Sequence, residues 1–314
     1  MAVPVSSLPM TNDPRPLKAL ILGSVAWNTM VYVDAFPDPQ PQTLFARGSN
    51  ETVGSSGAGK AMNLRSLGAD ATLWALVGDD DAGHRVRRAM ERRGVAFIGV
   101  TDPEGTSHHI NLMDDAGERI SILARTGSDR HPVDVESVFE AAATADLASV
   151  TITNHCRPFL PMLRDSGMPI WVDLQDYDGI NPHHDEFIEA ADHFLMSSVA
   201  MPDWREFLER CVTSGARVAI CTHGVDGASG LTAADGWVDI PAVPVSNVVD
   251  TNGPDSLRRW TPGPLLQLPL SSLQTSLRPR CAVAREGSEW FGYRSFRHGG
   301  HLCRRRVRSG HRTL

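Results

Sequence analysis

Three glycines within six residues, Gly54-Ser-Ser-Gly57-Ala-Gly59, stand just before a stretch with a helical apolar face. No other feature of the 314-residue chain restricts its fold as much. Ala61, Leu64 and Leu67 suit one face of a helix over Lys60–Leu67, and Gly68 stops it. Ala71–Val77 then reads as a buried strand, and Asp81–Arg93 as an amphipathic helix ended by Gly94. The glycine segment itself has three readings. With Lys60 it spells G-x-x-x-x-G-K, a P-loop except that Ala61 replaces the Ser or Thr that ligates magnesium. A P-loop also follows a buried strand, whereas Gly48–Thr52 is polar. The second reading is a flexible loop that needs glycines for its turns. The third is a tight turn whose bare backbone approaches a polyol, with N–H groups at the helix start free to donate to its oxygens.

The rest of the chain alternates strands with helices. Lys18–Val25 is an apolar run that reads as a first buried strand. Residues 26–53 are mixed, with a Pro-rich break at Pro37–Pro41. Over 106–125 the apolar residues alternate with polar ones around Asp114–Gly117, which predicts a half-exposed β-hairpin carrying His108 and His109. Those histidines read as exposed strand residues. Beyond it come a helix over Val135–Leu147 with Asp134 as N-cap, strands at Ser149–Thr153, Ile170–Leu174, Phe194–Ser197 and Arg217–Thr222, helices at His184–Ala191 and Asp203–Ser214, and two short strands near 229–233 and 237–241. This rhythm predicts an α/β fold with a mostly parallel sheet covered on both faces.

The run Val53–Gly83, VGSSGAGKAMNLRSLGADATLWALVGDDDAG, resembles the first signature of the PfkB, or ribokinase-like, carbohydrate kinases. Gly23-Ser24 with Asn28 resembles the family's first strand, Thr222–Gly227 its phosphate loop, and Val249–Gly253 the start of its second signature. The resemblance spans residues 18–253 in the family's order. It implies a ribokinase-like fold with a small β-sheet lid, formed here by strands at about 30–53 and 106–125. It also implies phosphorylation of a small sugar or related polyol or nucleoside by ATP with Mg2+. Sugar contacts would fall to Asn28, Gly54, Ser55, Ser56, Gly57 and Gly59, and nucleotide contacts to Thr222, Gly224, Gly227, Asp250 and Thr251. Asn252 and Gly253 would belong to the anion hole, with Asp255 as the base; the metal ligands are unassigned. Such proteins often pair through the lid, so a homodimer is an expected partner.

Several residues depart from that pattern. Asn28 replaces the usual Asp, Gly59 the usual Asn, and Asp226 a frequent Lys or Arg. Ser198 and Met201 stand where Asn-x-x-Glu is expected. Pro254 removes an N–H donor inside the second signature, and Pro262 and Pro264 interrupt the helix that should follow. A catalytically inactive sugar-binding relative is therefore an alternative, as is a P-loop nucleotide-binding protein. Residues 254–314 carry 12 arginines, no lysine and three acids, a net +9 on a chain of net −7, so the first 253 residues carry −16. We hypothesise a reading-frame change near codon 254, motivated by the abrupt loss of pattern. Sequencing the coding DNA tests it, and no family-like continuation in either alternative frame defeats it. The other readings are a natural disordered basic tail and a non-specific nucleic-acid contact. Residues 1–16 read as a polar, Pro-rich disordered leader. Five scattered cysteines without metal-ligand spacing suit a reducing cytoplasm, and no apolar run approaches the ~20 residues of a membrane span.

Overall fold

The computed structural model of the chain describes residues 15–115, 118–129 and 133–242. Strand β1 (Lys18–Leu22) is followed by β2 (Ala26–Tyr32), β3 (Gly48–Gly54), helix α1 (Ser56–Ser66), β4 (Asp70–Val77), α2 (Asp81–Arg92) and β5 (Ala96–Thr101). A hairpin of β6 (Ser107–Met113) and β7 (Arg119–Arg125) comes next. The chain continues through α3 (Phe139–Thr144), β8 (Leu147–Thr151), α4 (Leu160–Ser166), β9 (Ile170–Asp173), α5 (Asp185–Ala190), β10 (His193–Ser197) and α6 (Trp204–Thr213). The last elements among the described residues are β11 (Val218–Thr222), β12 (Ala228–Thr232) and β13 (Gly236–Ile240).

Among the described residues, nine strands form one sheet in the order β13-β12-β11-β10-β9-β8-β1-β4-β5, and four form a second in the order β3-β2-β6-β7. The large sheet is parallel from β5 to β11, and β12 and β13 add an antiparallel edge. Its central strands read as unbroken apolar runs because both faces are covered: β1, β8, β9 and β10 are buried almost throughout. One face packs Trp74, Phe159, Phe187 and Phe207 against α4, α5 and α6; the other packs Ile21, Leu73 and Trp171 with residues of α1 and α2. The small sheet is exposed along all of β7, including Ile122 and Leu123.

The structure revises several local expectations. Helix α1 begins at Ser56, so Ser56, Gly57 and Gly59 are helical residues and not loop. The expected helix over Val135–Leu147 is a 3-10 turn plus a six-residue α3, because β8 already begins at Leu147. Strand β5 and the helical segment Asn154–Ser166 were not legible, the latter because Pro158 and Pro161 break its pattern. The leader before Arg15 and the basic tail 254–314 lie outside the described residues. Among the described residues no helix is long and apolar enough to cross a membrane.

Candidate active site

In an open α/β sheet, ligands bind beyond the carboxyl ends of the strands where the strand order reverses. Here β1 has β4 on one side and β8 on the other, so that point lies at Gly23-Ser24 and Thr151. The glycine-rich turn is delivered to the same place. A Cβ on Gly57 would lie 2.6 Å from the Ser24 carbonyl oxygen and 2.7 Å from its nitrogen. A Cβ on Gly23 would lie 2.8 Å from the Gly57 Cα and 2.9 Å from Thr151 Cγ2. Two glycines are therefore what let α1 touch the end of β1. The Ala58 N–H donates to the Ser24 carbonyl at 3.0 Å. The Ser24 hydroxyl lies 2.7 Å from that of Ser55 and 3.3 Å from that of Ser56. Ser55 sits at φ 81°, a left-handed conformation rare outside glycine.

Asn28 reaches this turn from β2. It is 3% exposed, and its carboxamide oxygen has no hydrogen-bond partner among the described residues. Its Nδ2 occupies the space above Gly54, where a Cβ would be 2.3 Å away. A buried acceptor left open is costly in an empty site and useful in one that receives a hydroxyl donor. Gly59, by contrast, is one turn inside α1 with its N–H bonded to the Ser55 carbonyl at 2.9 Å.

Lys60 points elsewhere than a P-loop lysine must. Its side chain is 1% exposed and its Nζ lies 3.1 Å from Oδ2 of Asp173, itself 6% exposed, at the end of β9. The strand preceding the glycines is antiparallel β3 of the small sheet. The P-loop alternative is thereby corrected: this lysine is a buried ion-pair partner.

The carboxyl end of β8 contributes groups that sequence reasoning missed. The Thr151 hydroxyl donates to the Leu22 carbonyl, Thr153 Oγ1 lies 3.0 Å from His155 Nε2, and Thr153 also donates to Cys156 Sγ. Their signal was the polar residues Thr151, Thr153, Asn154 and His155 closing an apolar strand. Burial pushes the Cys156 thiol up to about 11, so it is an inert packing group despite the nearby Lys60 ammonium.

At the carboxyl end of β11, Thr222–Gly227 turns tightly between β11 and β12. Gly224 (φ 57°) and Gly227 (φ 99°) take conformations that side-chain-bearing residues avoid. A Cβ on Gly227 would strike the Ile240 carbonyl at 2.0 Å, while one on Gly224 would meet nothing within 4 Å, leaving its backbone approachable. The Thr222 hydroxyl donates to the Met196 carbonyl. Where Asn-x-x-Glu was expected, Ser198 and Met201 form a turn, and Glu206 is engaged by Arg210. Asp250, Thr251, Asn252, Gly253 and Asp255 lie outside the described residues. Among the described residues no three His, Cys, Asp or Glu gather to hold a metal ion.

The small sheet is tied to the large one through aspartates. Asp80 caps α2 at the Gly83 N–H and accepts from the Thr106 N–H and hydroxyl and from Arg125. Asp102 accepts from the Ser128 N–H and hydroxyl. Arg85 of α2 meets Glu51 of β3 and lies over the Trp27 ring. His108, expected to be exposed, is half-buried and bonded to Thr29, and burial lowers the pKa of His109, with like charge from His108 and Arg119 adding to it.

Comparison with known proteins agrees with this fold. Residues 22–254 match the pfkB family carbohydrate kinases. The chain is 28% identical over 240 residues to the acarbose 7(IV)-phosphotransferase of an Actinoplanes species, covering 74% of this chain and 80% of that one. It is 26% identical to the bifunctional protein HldE of Caulobacter vibrioides, of which the match spans only 52%. Among solved structures, the microbiome-derived acarbose kinase Mak1 superposes with a TM-score of 0.69 at 25% identity, covering 77% of this chain and 83% of that one. Ribokinase of Arabidopsis thaliana superposes with a TM-score of 0.63 at 16% identity, over 77% of this chain and 83% of that one, and so shares the fold. With the family's signature turn seated at the switch point of a ribokinase-like sheet, the chain belongs to the pfkB family of carbohydrate kinases.

Proposed function

We propose that the chain transfers the γ-phosphoryl group of ATP to a hydroxyl of a small sugar or a related polyol or nucleoside. The observation that carries this is the contact of Ser55–Gly57 with Gly23-Ser24, with the buried Asn28 oxygen, unpartnered among the described residues, beside it. Hydroxyls of Ser24, Ser55 and Ser56 both donate and accept, which suits the mixed demands of a polyol. Because relatives of the chain include an acarbose 7(IV)-phosphotransferase, an ATP-dependent ribose-1-phosphate kinase and a D-beta-D-heptose 7-phosphate kinase, the acceptor panel should include pseudo-oligosaccharides and sugar phosphates as well as free sugars and nucleosides.

ATP would supply the phosphoryl group, and magnesium would neutralise charge on it. The open backbone at Gly224 fits an approaching phosphate, with Thr222, Gly227, Asp250 and Thr251 the expected neighbours. Asn252 and Gly253 would donate to the transferring group, and Asp255 would take the proton of the attacking hydroxyl. The small sheet would act as a lid that keeps water from the phosphoryl group.

ATP-dependent phosphorylation across the panel tests the reading. Turnover that falls by about 10²–10⁴ in Asp255→Ala supports it. The second reading, a sugar-binding relative without turnover, is favoured by Pro254 in the anion loop. It predicts thermal stabilisation by a sugar with no ADP formed. Neither turnover nor binding of any acceptor defeats both.

A further inference from the structure

Helix α1 is intrinsically weak where it matters. Its N-cap residue Ser55 makes no side-chain capping bond, its first turn holds no acid, and Gly57 and Gly59 lie in its first five residues. Each glycine costs roughly 1 kcal/mol relative to alanine in a helix. Gly57 cannot be replaced freely, since it must clear the Ser24 backbone. One turn below stands Lys60, a cation near the positive end of a helix and almost wholly out of water, both unfavourable. An apolar residue would fill the space at less cost. What the lysine adds is direction: its ammonium reaches Asp173 across the end of β8 and ties α1 to β9.

Asp173 is itself held. Its Oδ1 accepts from the Gln175 N–H at 3.0 Å, and Gln175, at φ 55°, gives its carbonyl to the Ser197 N–H of β10 at 2.9 Å. The link therefore runs from the glycine-rich turn through Lys60 and Asp173 to the carboxyl ends of β9 and β10.

We propose that Lys60 and Asp173 are a positioning pair that fixes the Ser55–Gly59 turn against the strand ends. This rests on reading that turn as the sugar-binding one, but the positional claim is testable without any ligand. The full-length chain is compared with Lys60→Met and Lys60→Met/Asp173→Leu by thermal unfolding and by amide hydrogen exchange, sugar-free. The single variant leaves the buried Asp173 carboxylate without its cation and melts lower; the double variant recovers most of that loss. The double variant is nonetheless expected to exchange the amides of residues 55–59 about tenfold faster, with β1, β8 and β9 unchanged. Wild-type protection there at recovered stability makes the pair a mere packing feature and overturns the proposal. Should the double variant not fold, Asp173→Asn, which keeps size and the acceptor for Gln175, replaces it: the same rise in exchange is expected, and wild-type protection of residues 55–59 in that variant overturns the proposal. In a chain that phosphorylates a sugar, the acceptor KM rises about tenfold while kcat changes far less. A wild-type chain that binds no sugar defeats the sugar reading alone, since the exchange result stands independently.

Discussion

At the residue scale, two glycines of the same turn differ in what a methyl group would strike. At Gly57 the obstacles within 3 Å are backbone atoms of Ser24 and Gly23, which cannot move without parting α1 from β1. At Gly54 the obstacle is the carboxamide of Asn28, the far end of a side chain that can turn. Gly57→Ala is therefore expected to lose about 1–3 kcal/mol of stability by overpacking, together with acceptor binding. Gly54→Ala is expected to melt within a few degrees of wild type while its acceptor KM rises about tenfold, a loss of roughly 1.4 kcal/mol in binding. Thermal melts and steady-state kinetics, or sugar titration in the absence of turnover, separate the two. Equal melting temperatures for both variants would show that α1 can slide away from Gly23.

At the element scale, the attachment of the small sheet depends on Asp80. It serves the first turn of α2 and, through Thr106 and Arg125, both the entry to β6 and the exit from β7. Burial alone would raise its pKa, but the Thr106 hydroxyl and amide, the Gly83 amide and Arg125 outweigh it and hold the carboxyl below its ordinary value. A depressed carboxylate stabilises the fold above the ordinary carboxylate pKa, and that contribution disappears as pH falls through the folded value. Asp80→Ala should cost about 2 kcal/mol at neutral pH, the sum of a lost cap and lost hydrogen bonds, and less near pH 3. Denaturant melts at the two pH values check this, and a loss independent of pH would contradict it. The Gly-Asp-Asp sequence at 78–80 was legible as a strand end followed by a helix, because periodicity and capping are local signals. That Asp80 also holds the hairpin was not, since Thr106 and Arg125 are 26 and 45 residues away. The same distance hid Lys60: its spacing to Gly59 suggested a phosphate ligand, and only the placement of β9 reveals a carboxylate waiting for it. Strand β5 escaped notice because it is an edge strand, half-buried and without a clean period.

At the scale of the whole molecule, the two faces of the large sheet are built differently. The described residues of α4, α5 and α6 pack one face, while α1 and α2 join the other, on which Leu147, Trp171 and Leu195 also lie. His193 shares that second face. It stands beside Trp171 in the β9–β10 register, with the rings stacked 4.2 Å apart and 7° from parallel. It is 4% exposed, and its Nδ1 has no hydrogen-bond partner among the described residues. Burial, with Arg217 adding to it and Asp192 and a backbone hydrogen bond to Ile170 opposing it, pushes its pKa down to about 4. The unfolded chain therefore takes up the proton first. Above its ordinary pKa of about 6.5 the titration takes nothing from stability, and between there and pH 4 stability falls by on the order of 3 kcal/mol before levelling off. His193→Phe keeps an aromatic ring on Trp171 and removes the titration. Its unfolding free energy is expected to decline less steeply than wild type between pH 7 and pH 4. The slope should not vanish, because burial also lowers His109 and His184. Parallel curves for the two proteins would mean that His193 meets water or a partner in the folded chain, and that this half of the sheet face is open at neutral pH.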